Sequence, residues 1–150
     1  MDAFTIFLIL FFTWFIYVYF SFKECEIFID GRLYIDTSTL PNSGYGVFTR
    51  GFIPKDTIIE VSHTILVPED ERKYMSTIVK YDFSKIDDND TLVAMGFGGM
   101  YNNHKNYNVD WTSTHKNVIF KTNQNVYPGQ ELFITYGPDY FKLHEMHEEE

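Results

Sequence analysis

The strongest constraint on this chain is a run of twenty residues without a single charge, Ala3 to Phe22, standing ahead of everything else. As a helix it would measure about 30 Å, the thickness of a bilayer's hydrocarbon core, so the sequence predicts a transmembrane helix here. The hydroxyls of Thr5 and Thr13 can bond back to a helix backbone, and Trp14, Tyr17 and Tyr19 gather toward the C-terminal half, where an interfacial aromatic belt belongs. A cleaved signal peptide fits less well, because no basic segment precedes the run and no small-x-small pattern follows it. A buried hydrophobic helix is the other alternative. Lys23 and Arg32 follow the span and no Lys or Arg precedes it, which predicts a single pass with the C-terminal domain on the cytoplasmic side. The expected organisation is an anchor over 1–22, one domain over 23–141 and an acidic tail over 142–150.

Behind the anchor lie all twelve Lys and Arg and twenty of the twenty-one Asp and Glu, leaving that part at about −8. Such a surface repels nucleic-acid phosphate and suits a basic peptide, and acidity that only aids solubility is an equal alternative. Cys25 is the single cysteine, so neither a disulfide framework nor a Cys-based zinc cluster is expected, and no metal is called for. With 45% apolar and 19% aromatic residues the chain should pack a β-rich interior. Short strands are expected at 26–29 and 32–35 around an Asp30-Gly31 turn, then at 45–49, 57–67, 91–97, 118–122 and 132–136. Pro68 and the acids behind it open a short helix with Tyr74, Ile78, Val79 and Tyr81 on its buried face. The sum is a β-dominated single domain of barrel or sandwich type.

Three constellations carry chemistry. Gly44-Tyr45-Gly46 stands at the entrance to a strand, where missing side chains let a ligand approach the backbone; alone it reads more often as a tight turn or bulge. Gly96 to Asn108 is a glycine-rich stretch running into a cluster of amides, and amides can hold a ligand's ammonium or carboxylate as readily as they fold a loop. His104 in that stretch reads as a loop histidine, since no second metal ligand stands at a useful spacing. Pro128 to Gly137 is a turn leading into a strand that ends at Tyr136, whose phenol could enter a narrow pocket or pack in the core.

In this order and spacing the residues resemble the SET-domain lysine methyltransferases, particularly the compact viral members that are little more than the SET core. The resemblance covers about Gly31 to Phe141 and rests on Gly-Tyr-Gly-Val-Phe, on the Gly-Phe-Gly approach to the Asn/His segment, and on Gly-Gln-Glu-Leu-x-Ile-Thr-Tyr-Gly-x-Asp-Tyr. It implies a mainly β SET fold in which the Asn/His segment and the terminal strand cross as a pseudoknot. It also implies S-adenosylmethionine as cofactor and a lysine substrate, with histone tails the family default. Carried over, Gly44, Tyr45 and Gly46 contact the cofactor through main-chain atoms, with the ring of Tyr45 near the lysine channel. Asn102 holds the cofactor and Asn108 closes the motif. Tyr136 is the channel tyrosine and Tyr140 a second aromatic wall.

This sequence departs from the family where Asn-His-Ser, two residues, Pro-Asn is usual. Here the positions read Asn102-Asn103-His104-Lys105-Asn106-Tyr107-Asn108, so Asn103 stands for the histidine, unless the register shifts by one and Asn103-His104 is the pair. No cysteine-rich modules flank the core, so the channel is completed by the C-terminal tail, by a second subunit in a homodimer, or not at all. The implied reaction needs a neutral lysine amine, which an aromatic, desolvated channel favours. The alternative from another class is a catalytically silent SET-like module tethered to a membrane, favoured by Asn103 and Tyr107. The tail, with His144, His147 and Glu148 to Glu150, reads first as a solvated terminus and second as a recruiter of basic substrate.

Overall fold

The computed structural model describes residues 5, 11–13, 26–75, 78–84, 91–114, 116–137 and 140. Thr5 and residues 11–13 are helical, but the rest of the expected anchor over 3–22 lies outside the described residues, as does the tail over 142–150. Among the described residues no helix is long and apolar enough to cross a membrane.

The spine of the domain is a ten-residue strand rich in β-branched residues. This strand, β4 (Ile58–Val67), is flanked along its length by partners, which is why Ile59, Glu60, Val61 and Ser62 are all buried and its pattern does not alternate. β9 (Asn117–Thr122) pairs with its first half, His63 opposite Asn117, and β6 (Thr91–Ala94) with its second, Thr64 opposite Ala94. β5 (Asp82–Ser84) extends the sheet from β6, β8 (Val109–Ser113) extends it from β9, and β1 (Phe28–Ile29) lies on β4. A second sheet has the order β2 (Leu33–Thr37), β3 (Tyr45–Thr49), β10 (Glu131–Ile134), β7 (Asn102–Asn103). Val47, Leu132 and Ile134 from one sheet and Ile59, Leu92, Val118 and Phe120 from the other join one core, each aliphatic contributing about 1.5–3 kcal/mol by its burial.

Two local expectations fail. Asp30-Gly31 does turn the chain, with the Leu33 N–H on the Asp30 carbonyl at 3.0 Å, but neither residue has positive φ, and the strands on either side part into different sheets. The Asp30 carboxylate instead takes the Arg32 backbone N–H at 2.9 Å and both Nε and Nη2 of its guanidinium, a side-chain closure that replaces the hairpin. The expected helix is two 3-10 turns, Arg72–Tyr74 and Ile78–Tyr81, with Tyr74, Ile78 and Tyr81 exposed, and a segment that buries so little apolar surface lacks the packing that sustains a longer helix.

The arrangement that matters for function is at the end of the chain. β10 runs antiparallel to β3, Leu132 opposite Val47, and parallel to β7, Ile134 opposite Asn103. The segment from β7 continues along β10, with the His104 N–H on the Ile134 carbonyl at 3.1 Å and the Asn108 N–H on the Phe133 carbonyl at 3.2 Å. Asn108 is buried and its amide clasps the same strand twice, accepting from the Phe133 N–H and donating to the Glu131 carbonyl, both at 2.8 Å. The Asn-rich segment and the terminal strand are thus locked together.

Candidate active site

At the start of β3 the chain needs a residue that tolerates left-handed backbone, and Gly44 supplies it at φ +67 with open space where a side chain would begin. Gly46 is constrained differently. A Cβ there would lie 2.8 Å from Glu131 Cδ, overlap Glu131 Oε1 and stand 3.2 Å from Asn102 Nδ2. Glu131 is buried and its carboxylate accepts from Ser38 Oγ (2.8 Å), Thr39 N (2.7 Å), Thr39 Oγ1 (2.6 Å) and Asn102 Nδ2 (3.1 Å). Asn102 Nδ2 also donates to the Tyr45 carbonyl at 3.0 Å, fifty-seven residues away in sequence. Glycine backbone, amide and carboxylate therefore form one fixed corner. The open backbone at Gly44, beside an amide whose nitrogen is committed and whose oxygen can only accept, suits a ligand carrying an ammonium group, so the residues present fit the implied cofactor.

Two residues beyond the end of β10 stands Tyr136, in a narrow cavity lined also by Tyr81, Phe83, Gly98, Tyr101, Trp111 and Tyr140. Its hydroxyl donates to the Tyr101 carbonyl at 2.9 Å, its backbone N–H donates to Asn103 Oδ1 at 2.9 Å, and its ring meets that of Tyr140 at 4.5 Å. Trp111 Nε1 holds the Thr135 carbonyl just before it, also at 2.9 Å. Burial pushes the Tyr136 phenol well above its ordinary range, with the neighbouring Tyr140 and Tyr81 adding to the effect. It stays protonated at neutral pH. Since that proton already points at a carbonyl, the oxygen can only accept from a group entering the cavity. Burial likewise raises Tyr140, with help from Asp82 and Tyr81. Tyr140 itself forms part of the cavity wall.

Behind the cavity is a buried acid. The Glu60 carboxylate accepts from Tyr101 Oη and the Phe97 N–H, each at 2.9 Å, and from Ser62 Oγ, and it faces the Gly98 amide. Burial raises its pKa against those hydrogen bonds, which pull it down. Gly96, at φ +83, passes so close that a Cβ would lie 2.7 Å from Glu60 Oε1. The acid thus fixes both the glycine loop and Tyr101, the residue on which the Tyr136 hydroxyl rests.

The structure brings Gly44, Gly46 and Asn102 into one corner and Tyr136 and Tyr140 into one cavity, with Asn103 holding the Tyr136 backbone N–H. It does not bring Tyr45's ring to that cavity: the side chain is 62% exposed and only its carbonyl joins the cluster. His104 packs against Phe133 with ring centroids 5.0 Å apart and takes the Asn106 N–H on Nδ1 at 3.0 Å, the contacts of a loop histidine, while Asn102 and Asn103 occupy β7. Sequence reasoning missed Tyr81, Tyr101 and Trp111 as cavity walls and Glu60 and Glu131 as supports. Glu60 had a readable signal, a single acid inside an apolar strand; Trp111 had none, because β8 was not expected.

Comparison with known proteins gives a consistent set. The family model described as SET domain matches residues 44–137. The chain is 28% identical over 99 residues, 63% of its own length and 67% of the relative's, to a histone-lysine N-methyltransferase, H3 lysine-37 specific, of Schizosaccharomyces pombe. A Plasmodium falciparum protein assigned as a histone methyltransferase superposes with a TM-score of 0.61 at 27% identity, covering 73% of this chain and 96% of that one. In fold it is also like the Chaetomium thermophilum polycomb repressive complex 2 bound to S-adenosylmethionine, with a TM-score of 0.65, 19% identity, and coverage of 77% of this chain and 17% of that one.

Proposed function

This chain belongs to the SET-domain family, and from that premise we propose that it is a protein-lysine N-methyltransferase, moving a methyl group from S-adenosylmethionine to a lysine of a basic protein, with a histone tail as first candidate. The observation that carries the reading is the Tyr136 hydroxyl, held on the Tyr101 carbonyl in a tyrosine-walled cavity and tied through Asn103 to β7, whose Asn102 belongs to the fixed glycine corner. That corner would hold the cofactor through backbone groups and the Asn102 amide. When bound, S-adenosylmethionine supplies an electrophilic methyl group on a sulfonium, taken by displacement at carbon.

The chain's own residues do the rest. A lysine ammonium, ordinarily near pKa ~10.4, is penalised on entering a desolvated cavity and leaves its proton to water. The neutral amine can donate one N–H to the Tyr136 oxygen, which has no proton to offer in return, and this fixes the direction of the nitrogen lone pair. Tyr81, Tyr140 and Trp111 line the cavity and present π faces that accept the methylated, again cationic, product. The excess of acid behind residue 22 favours a basic partner. The uncharged run over 3–22 supports, by its length, a membrane tether with the domain on the cytoplasmic side.

The test is calorimetric binding of S-adenosylmethionine together with transfer of labelled methyl groups to histone-tail peptides. Binding and lysine labelling are expected. A folded chain that neither binds the cofactor nor labels any peptide refutes the enzyme, and one that binds without labelling refutes the choice of substrate.

A further inference from the structure

One of the positions at which this chain departs from the family pattern, Asn103, is the one that touches the backbone of Tyr136. The parallel ladder between β7 and β10 ends with the His104 N–H on the Ile134 carbonyl, and a regular parallel pair would next place the Tyr136 N–H on the His104 carbonyl. It does not. The Tyr136 N–H goes to Asn103 Oδ1 at 2.9 Å, so a side chain takes over where the sheet stops. The other restraints act on the ring and its neighbours: Tyr101's carbonyl on the hydroxyl, Tyr140 against the ring, Trp111 on the preceding carbonyl. Gly137, at φ +93, turns the chain away immediately afterwards, its N–H going to Thr135 Oγ1 at 3.2 Å and so holding the turn rather than the Tyr136 N–H.

We propose that Asn103 is a positioning residue for Tyr136, its amide oxygen replacing the missing ladder bond and setting the angle at which the phenol enters the cavity. This rests on the methyltransferase reading. Only the acceptor oxygen is used in that bond, so a residue with an oxygen at the same place should serve, whatever its other atom is. An asparagine in the position usually held by histidine is thus compatible with an active enzyme, because the amide acceptor is present at every pH.

The experiment uses the whole 150-residue chain and the variants Asn103→Ala and Asn103→Asp. Tyr136 amide hydrogen exchange, read by NMR, tests the bond without any reference to activity: exchange about tenfold faster in Asn103→Ala and near the parent rate in Asn103→Asp is expected for loss and retention of one hydrogen bond. Steady-state methylation of a histone H3 tail peptide tests the positioning. There kcat should fall about tenfold or more in Asn103→Ala with KM for S-adenosylmethionine within about twofold, and Asn103→Asp should restore most of kcat. Unchanged amide exchange in Asn103→Ala, or an equal loss of kcat in both variants, overturns the proposal. A parent protein with a protected Tyr136 amide that neither binds S-adenosylmethionine nor labels any peptide refutes the enzymatic reading instead and leaves the bond intact.

Discussion

Gly46→Ala is the sharpest test of how the cofactor corner is built. The added methyl would overlap Glu131 Oε1, and Glu131 cannot yield cheaply, because it is buried and holds Ser38, both donors of Thr39, and Asn102. Moving the carboxylate far enough breaks at least two of these bonds, and each buried group left unpaired costs about 1–3 kcal/mol, so the loss should be about 2–6 kcal/mol. For a chain of this size that lowers Tm by about 4–24 °C, at about 2–4 °C per kcal/mol. Because Asn102 also holds the Tyr45 carbonyl, S-adenosylmethionine binding should weaken by about tenfold or more, about 1.4 kcal/mol. Thermal unfolding and titration calorimetry read both effects. Gly31→Ala is the control: no atom lies within 4 Å of its Cβ position and its φ is not positive, so it should change stability by no more than about 0.5 kcal/mol. In a Glu131→Ala background, Gly46→Ala should cost little more, since the overlapping group is gone. A Gly46→Ala protein with unchanged Tm and affinity, or full additivity of the two substitutions, would refute the steric argument.

Tyr136→Phe removes one hydrogen bond, to the Tyr101 carbonyl, and should cost only about 1 kcal/mol in thermal unfolding while lowering kcat by about a hundredfold or more, since the amine loses its acceptor. Retention of kcat within about threefold would exclude the hydroxyl from amine alignment. Glu60 is raised above its ordinary value of 4.5 by burial, so its contribution to stability is complete below that value and declines as pH rises through the higher folded pKa. Glu60→Gln, which cannot ionise, should flatten that descent in Tm against pH. Asp30 runs the opposite way: its hydrogen bond with Arg32 holds it below 3.8, so its contribution is complete above that value and vanishes as pH falls through the lower folded pKa. Asp30→Asn should therefore lower Tm at neutral pH and make little difference near the acid limit of folding. A Tm deficit that is the same at both ends would count against the pairing.

Much of this protein follows from local chemistry that a sequence displays directly. β3 spans Tyr45–Thr49, as its β-branched and aromatic composition requires, and β4 falls within one residue of the expected 57–67, because strand propensity and the turns at Leu40 to Gly44 and Pro54 to Asp56 act over a few residues. The order of Gly44-Tyr45-Gly46, Asn102 and Tyr136 was also legible, since each belongs to a short motif. What the sequence could not display was pairing at a distance. Phe28 and Ile29 find β4 rather than β2, and the predicted helix past Pro68 dissolves into 3-10 turns, because the choice depends on which surface is left to cover.

The amino-acid sequence by itself determined a β-rich domain with a glycine corner, an amide cluster and a terminal tyrosine in fixed order. Tertiary structure alone decided what those parts do together: that Glu131 closes the corner around Gly46, that Glu60 reaches across to Tyr101, and that Asn103 takes the N–H of Tyr136. The reason is physical. Hydrogen bonds that join residues 29, 33 and 41 apart have no local signature, and the one from Tyr136 to Asn103 forms only because the parallel pairing of β7 and β10 brings donor and acceptor to 2.9 Å.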